Sequence, residues 1–140
     1  MKTFKKYLIF IVILTQNLLP GCEKEKVPVL STTSVSNISA TAAKSGGNIT
    51  DESSSTVISR GVCWSTSTTP TLADNKTTDG SGAGSFSSNI MSLEEATIYY
   101  VRAYATNSSG TGYGMAMSFT TLGQSPTPTV GNATLFQIPI

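Results

Sequence analysis

The stretch TIYYVRAYATN, residues 97–107, decides the fold. Tyr99, Val101, Ala103 and Ala105 fall on one parity, and Tyr100, Arg102, Tyr104 and Thr106 on the other. A period of two marks a half-buried strand. The following NSSGTG, residues 107–112, is a hairpin connection with glycine available where the turn needs a positive φ. YGMAMSFTT, residues 113–121, then returns as an antiparallel partner, with Tyr113, Met115, Met117 and Phe119 expected on one face.

Working outward, GSFSSNI (84–90) aligns Phe86, Ser88 and Ile90, and AAKSGGNIT (42–50) aligns Ala43, Ser45, Gly47 and Ile49. VISRGVCWST (57–66) aligns Ile58, Val62 and Trp64, but it also sets Arg60 on the core parity. Either Arg60 sits near the strand's mouth and reaches for water, or a bulge shifts the register. PVLSTTSVSNI (28–38) supplies a first edge strand with Pro28 at its start, and TLADNKTTDGSGAG (71–84) a short strand plus turn. Helix is excluded from this body, because Gly, Pro and β-branched runs break every amphipathic window after the N-terminal segment. About seven short strands with turn signals at regular spacing predict an all-β, seven-stranded antiparallel immunoglobulin-like sandwich over 29–122.

The N-terminus follows a different grammar. Lys2, Lys5 and Lys6 precede the apolar run YLIFIVILTQNLL, which Thr15, Gln16 and Asn17 interrupt. That run is shorter than the roughly 18 apolar residues of a spanning helix and reads as a secretory signal over 1–21. It ends in Leu19, Pro20, Gly21 and Cys22, which resembles the lipobox of bacterial lipoproteins, with Pro20 in place of the usual Ala, Ser or Thr. The resemblance implies a signal-peptide helix cut before Cys22, a diacylglycerol on the Cys22 sulfur and an acylated new amino terminus. Two or more chains hold a protein durably where one does so only marginally. CEKEKVP, residues 22–28, is then a solvated tether. Glu23 and Glu25 partly match an acidic surface-export signal, with Lys24 and Lys26 interrupting it. The expected location is a bacterial cell envelope, lipid-anchored, at the outer membrane and outward-facing.

Composition excludes much chemistry. The chain has no histidine, which removes the commonest general base and most zinc sites. Three of its nine basic residues lie in the signal, leaving six against eight acidic ones, a net of −2. No basic patch follows the signal, so nucleic acid is not an expected partner. With Cys22 lipidated, Cys63 has no disulfide partner and reads as a buried, inert thiol in an apolar strand. The adjacent acids Asp51–Glu52 and Glu94–Glu95 lie in predicted turns, where carboxylates are more often solvated than catalytic. DGSGAG lacks the following helix of a phosphate loop, and Asp74 with Asp79 offers too few oxygens for calcium. No enzyme activity, cofactor or metal is expected. The Asn-x-Ser/Thr triplets at Asn37, Asn48, Asn75, Asn107 and Asn132 reflect composition and are assigned no function.

The stretch from Arg60 to Gly123, above all Arg60–Ser65 and Tyr99–Asn107, resembles the fibronectin type III-like repeat of multidomain bacterial surface lipoproteins. Such repeats carry L-x-P-G-T-x-Y before the sixth strand. Leu93, Thr97 and Tyr99 match it, while Glu95 and Ala96 replace Pro and Gly. The resemblance implies that Tyr99 is a tyrosine-corner residue whose hydroxyl bonds backbone near Leu93. It also implies a spacer or protein-interaction module held by its lipid. An alternative comes from the residues: Tyr100, Arg102 and Tyr104 stand two apart and would offer rings and a guanidinium to a surface glycan or a protein. Residues 123–140 read as a Pro/Thr linker and an apolar tail, ATLFQIPI, expected to be the start of a truncated further domain.

Overall fold

A computed structural model describes residues 25–124. The predicted signal helix, Cys22 and the tail beyond Gln124 lie outside the described residues. The described body is all β, with eight antiparallel strands: β1 (Val29–Ser36), β2 (Ala43–Asp51), β3 (Ser59–Ser65), β4 (Asn75–Lys76), β5 (Gly84–Ile90), β6 (Ile98–Asn107), β7 (Gly110–Tyr113) and β8 (Met117–Thr120). One sheet runs β1-β2-β5; the other runs β4-β3-β6-β7, with β8 also paired to β6.

The inward parity of residues 97–107 is as the alternation requires. Tyr99, Val101, Ala103 and Ala105 are buried, and they meet Ala43 and Ile49 of β2 and Ile90 of β5 across the sandwich. Val62, Trp64, Leu93 and Phe119 complete the larger of two core clusters, and Val57 with Ile49 and Ala105 forms the smaller. Each large apolar side chain so buried contributes about 1.5–3 kcal/mol. The polar Ser45 of the inward face is tolerated because its hydroxyl donates to Thr33 O at 2.8 Å.

Two sequence expectations are corrected here. Ile58 is 68 % exposed, and Val57, which precedes β3, turns inward in its place. The strand expected over 113–121 is also broken. Tyr104 pairs with Tyr113 and Val101 with Met117, so Arg102 and Ala103 face three residues, 114–116. One extra residue reverses the phase of a strand. Met117 and Phe119 therefore face inward with Val101 and Tyr99, Tyr113 faces outward with Tyr104, and Met115 at the bulge is 80 % exposed. The seventh strand thus counts as two, β7 and β8.

The bulge disturbs the ladder at Ala103. Its carbonyl still accepts from Gly114 N–H at 2.9 Å, while its N–H donates to Thr32 Oγ1 at 3.0 Å. Thr32 belongs to the opposite sheet, so a buried hydroxyl of β1 fills the gap the extra residue opens. Arg60 needs no bulge, since β3 pairs with β6 without interruption from Ser59 to Ser65. Its guanidinium donates to Gly82 O at 3.0 Å and Ala83 O at 2.8 Å and lies 5.3 Å from the Phe86 ring centroid. It reaches the sandwich rim and satisfies turn carbonyls there.

The described chain enters at one pole and leaves at the other. Lys26 N–H donates to Ser54 Oγ at 2.7 Å, beside the β6 C-terminus. Leu122 N–H donates to Ser39 O at 3.0 Å, beside the β6 N-terminus. Ten residues of β6 separate these proximal and distal poles, roughly 30 Å.

Thr32→Val keeps the side-chain shape and removes the acceptor for Ala103 N–H. The expected loss is about 1–3 kcal/mol in urea unfolding. An unchanged midpoint would show that the bulge does not rely on Thr32.

Candidate functional site

The outward face of β6 was the candidate binding surface. Its three residues do not form an open row. Tyr104 is only 2 % exposed, its ring lying over Gly61 directly opposite on β3. A Cβ at Gly61 would sit 2.9 Å from Tyr104 Cε1, so only glycine leaves the space for the ring. The Tyr104 hydroxyl reaches past it to donate to Thr77 O at 2.6 Å. Arg102 is half-buried, its Nε donating to Pro70 O and its guanidinium 3.9 Å from the Tyr113 ring centroid. Leu72 N–H in turn donates to the Tyr113 hydroxyl at 3.3 Å. The segment between β3 and β4 therefore folds back across this face, with its own Pro70 and Cys63 of β3 both buried. Tyr100, like Arg102, is half-buried. The expected exposed row is corrected at Tyr104, which is buried, and Arg102 is engaged with its own chain.

The corner before β6 is a closed set of bonds. The Tyr99 hydroxyl accepts from Glu94 N–H at 3.1 Å, one residue on from buried Leu93. The Glu94 carbonyl accepts from Thr121 Oγ1 at 2.6 Å, and Thr97 N–H donates to that same hydroxyl at 2.9 Å. Two side chains thus satisfy both backbone groups of Glu94. The Tyr99 ring stacks on Phe119 at a centroid distance of 5.9 Å, which fixes the direction of its hydroxyl. Ala96 sits at φ 47°, a left-handed conformation that costs a residue with a Cβ about 1–2 kcal/mol.

Five of the six candidate acids, all but Glu94, are engaged in local structure. Asp51 accepts from Ser53 N–H at 2.7 Å, Glu52 from Val57 N–H at 2.7 Å, Asp74 from Thr71 N–H at 2.8 Å, and Glu95 from Gln124 N–H at 3.2 Å. Asp79 accepts from the hydroxyls of Thr77 at 2.6 Å and Ser88 at 2.5 Å. Among the described residues no three His, Cys, Asp or Glu side chains are grouped to hold a metal ion. Burial pushes the Cys63 thiol above its ordinary pKa, with Arg102 pulling the other way, so the thiol is kept from the reactive thiolate form.

Sequence reading passed over Asn107. Its Nδ2 donates to Lys26 O and Glu52 O, both at 2.9 Å, and its Oδ1 accepts from Ser109 N–H at 2.9 Å. The same amide nitrogen that a glycan would occupy is buried and ties three chain segments together at the proximal pole. The available signal was an asparagine at the start of a tight turn, where its side chain bonds the backbone two residues on. Gly110 closes that turn at φ 139°.

With the geometry in place, comparison with solved structures finds the same fold. The sensor domain of the anti-sigma factor RsgI4 in Pseudobacteroides cellulosolvens superposes with a TM-score of 0.53 at 16 % identity, covering 81 % of this chain and 92 % of that one. The fibronectin type III domain of human fibronectin type III domain containing protein 3 gives 0.50 at 18 % identity, covering 79 % of this chain and all of that one. No protein-family model matches the chain, and no curated protein matches it. The fold is a fibronectin type III-like sandwich.

Two substitutions at the corner have opposite expected signs. Tyr99→Phe leaves Glu94 N–H without its acceptor and is expected to destabilise by about 1–3 kcal/mol. Ala96→Gly relieves the left-handed strain and, against glycine's own entropy, is expected to stabilise by about 0.5–1 kcal/mol. Thermal and urea unfolding read both, and a change in the same direction for the pair would contradict this description of the turn.

Proposed function

We propose that this chain is a non-catalytic module of a bacterial cell envelope, held to the outer membrane by lipid on Cys22 and acting by geometry as a spacer or protein-interaction unit. The observation that carries the reading is the opposition of the two poles. A body fixed to its anchor at one end and leaving at the other, about 30 Å away, displaces whatever follows it from the membrane.

Three further observations support it. The carboxylates of Asp51, Glu52, Asp74 and Asp79 accept hydrogen bonds from turn N–H groups and hydroxyls, a structural use of those acids. Of the three side chains behind the adhesin-like reading, Tyr104 is buried and Arg102 is bonded to Pro70 O, which favours the spacer reading over it. The run Leu19, Pro20, Gly21, Cys22 after an apolar segment supplies the anchor signal.

Intact-mass measurement on protein expressed in an outer-membrane bacterium tests the anchor. The expected mass is that of the chain from Cys22 plus a diacylglycerol and an acyl group, with Cys22→Ser abolishing both lipidation and membrane fractionation. An uncut leader, or an unmodified Cys22 on a chain recovered in the soluble fraction, would overturn the proposal.

A further inference from the structure

Few residues separate the proximal pole from the proposed anchor. Lys26 is already held by the body, its N–H bonded to Ser54 and its carbonyl accepting from Asn107. The next residues are held as well: Pro28 is buried, and Val27 packs against Gly110, where an added Cβ would lie 3.2 Å from Val27 Cγ1. Between Cys22 and Lys26 stand only Glu23, Lys24 and Glu25. Four peptide units extend at most about 14 Å. A bilayer's polar layer takes up about 5–7 Å of that on each side of the hydrocarbon.

Resting on the lipid anchor proposed above, we infer that the proximal pole is a membrane-contact surface, pressed by its short tether against the lipid headgroups. The loops that would meet the headgroups are the β2–β3 connection and the β6–β7 turn. Ser54 bonds Lys26 N–H, so that loop lies level with the start of the fold, and Ser108 lies just past the clasp residue Asn107. The Ser55 and Ser108 hydroxyls, 2.7 Å apart, join the two loops into one surface. That surface carries the hydroxyls of Ser53, Ser54, Ser55 and Ser108 beside the exposed Lys26, Val27 and Asp51, while the Ser109 hydroxyl is buried. Hydroxyls can hydrogen-bond phosphate oxygens without the desolvation cost of a charge. Asp51 and Glu52, at the start of the β2–β3 connection, each have a carboxylate oxygen already accepting, from Ser53 and Val57 N–H. The contact is therefore imposed by chain length and permitted by composition. It also sets the orientation of the body, with the distal pole pointing away from the bilayer.

The test uses the chain from Cys22 onward, coupled through Cys22 to a maleimide-bearing diacylglycerol in phosphatidylcholine nanodiscs. Buried Cys63 does not compete for the maleimide. With nitroxide-headgroup lipid present, the amide signals of Ser53–Ser55 and Ser108–Ser109 are expected to lose most of their intensity while Glu94 and Glu95 keep theirs. A Gly-Ser insert of about ten residues after Glu23 adds about 17 Å of coil and is expected to restore the serine signals. Uniform broadening over the body, unbroadened serine loops, or broadening indifferent to the insert would each overturn the inference. Because the lipid is attached chemically, this result is independent of the intact-mass measurement: an unmodified Cys22 in cells refutes the anchor alone, and unbroadened serine loops on the disc refute the contact alone.

Discussion

Pairing along both edges of β6 is the constraint on which the rest of the body depends. One edge is matched to β3 from Ser59 through Ser65; the other is shared by β7 and β8 around one extra residue. Its inward side chains form the floor of the core, and its two ends carry the side chains that close the poles. Tyr99 takes the Glu94 N–H at the distal end, and Asn107 takes the Lys26 and Glu52 carbonyls at the proximal end. A strand fixed at both ends by side chains cannot slide, so register, core and pole positions are set together.

The polar interior follows the same economy. Thr32 meets the N–H displaced by the bulge, Ser45 meets a carbonyl of β1, and Asp79 gathers the hydroxyls of Thr77 and Ser88. Each is a short polar side chain at a place where backbone pairing fails or two sheets approach. Ser, Thr and Asn dominate the composition partly for this reason. They are cheap to order and complete the hydrogen bonding of a small sandwich in which irregular backbone is plentiful.

Much of this was legible in the sequence, and the misses have physical causes. Alternation located the buried side of β6 because one face of that strand is packed without interruption. It also marked Arg60 as anomalous, though only the structure shows the guanidinium at the turn carbonyls of Gly82 and Ala83. The break at 114–116 was hidden because Tyr113, Met115, Met117 and Phe119 preserve the apolar period through it. Gly114 was the one sign, since an isolated glycine in a strand pattern suggests a bulge. Tyr104 was placed on the correct parity, but periodicity carries no information about a connection that folds back over the sheet. The small step at Gly61, where a tyrosine from the next strand fills the missing side chain, could have warned of it. Asn107 was lost among similar triplets, because a glycosylation pattern and a turn-capping asparagine share the same residues.

The central claim is that the described body is a rigid separator whose attachment points sit at opposite ends of one strand. The most direct measurement is the distance between spin labels introduced at Glu25→Cys and Gln124→Cys, with Cys22 replaced by Ser, read by pulsed dipolar spectroscopy. The expected result is a single narrow distribution centred at roughly 35 Å, the length of β6 plus its end turns. A broad distribution, or a mean well below the strand's length, would contradict it.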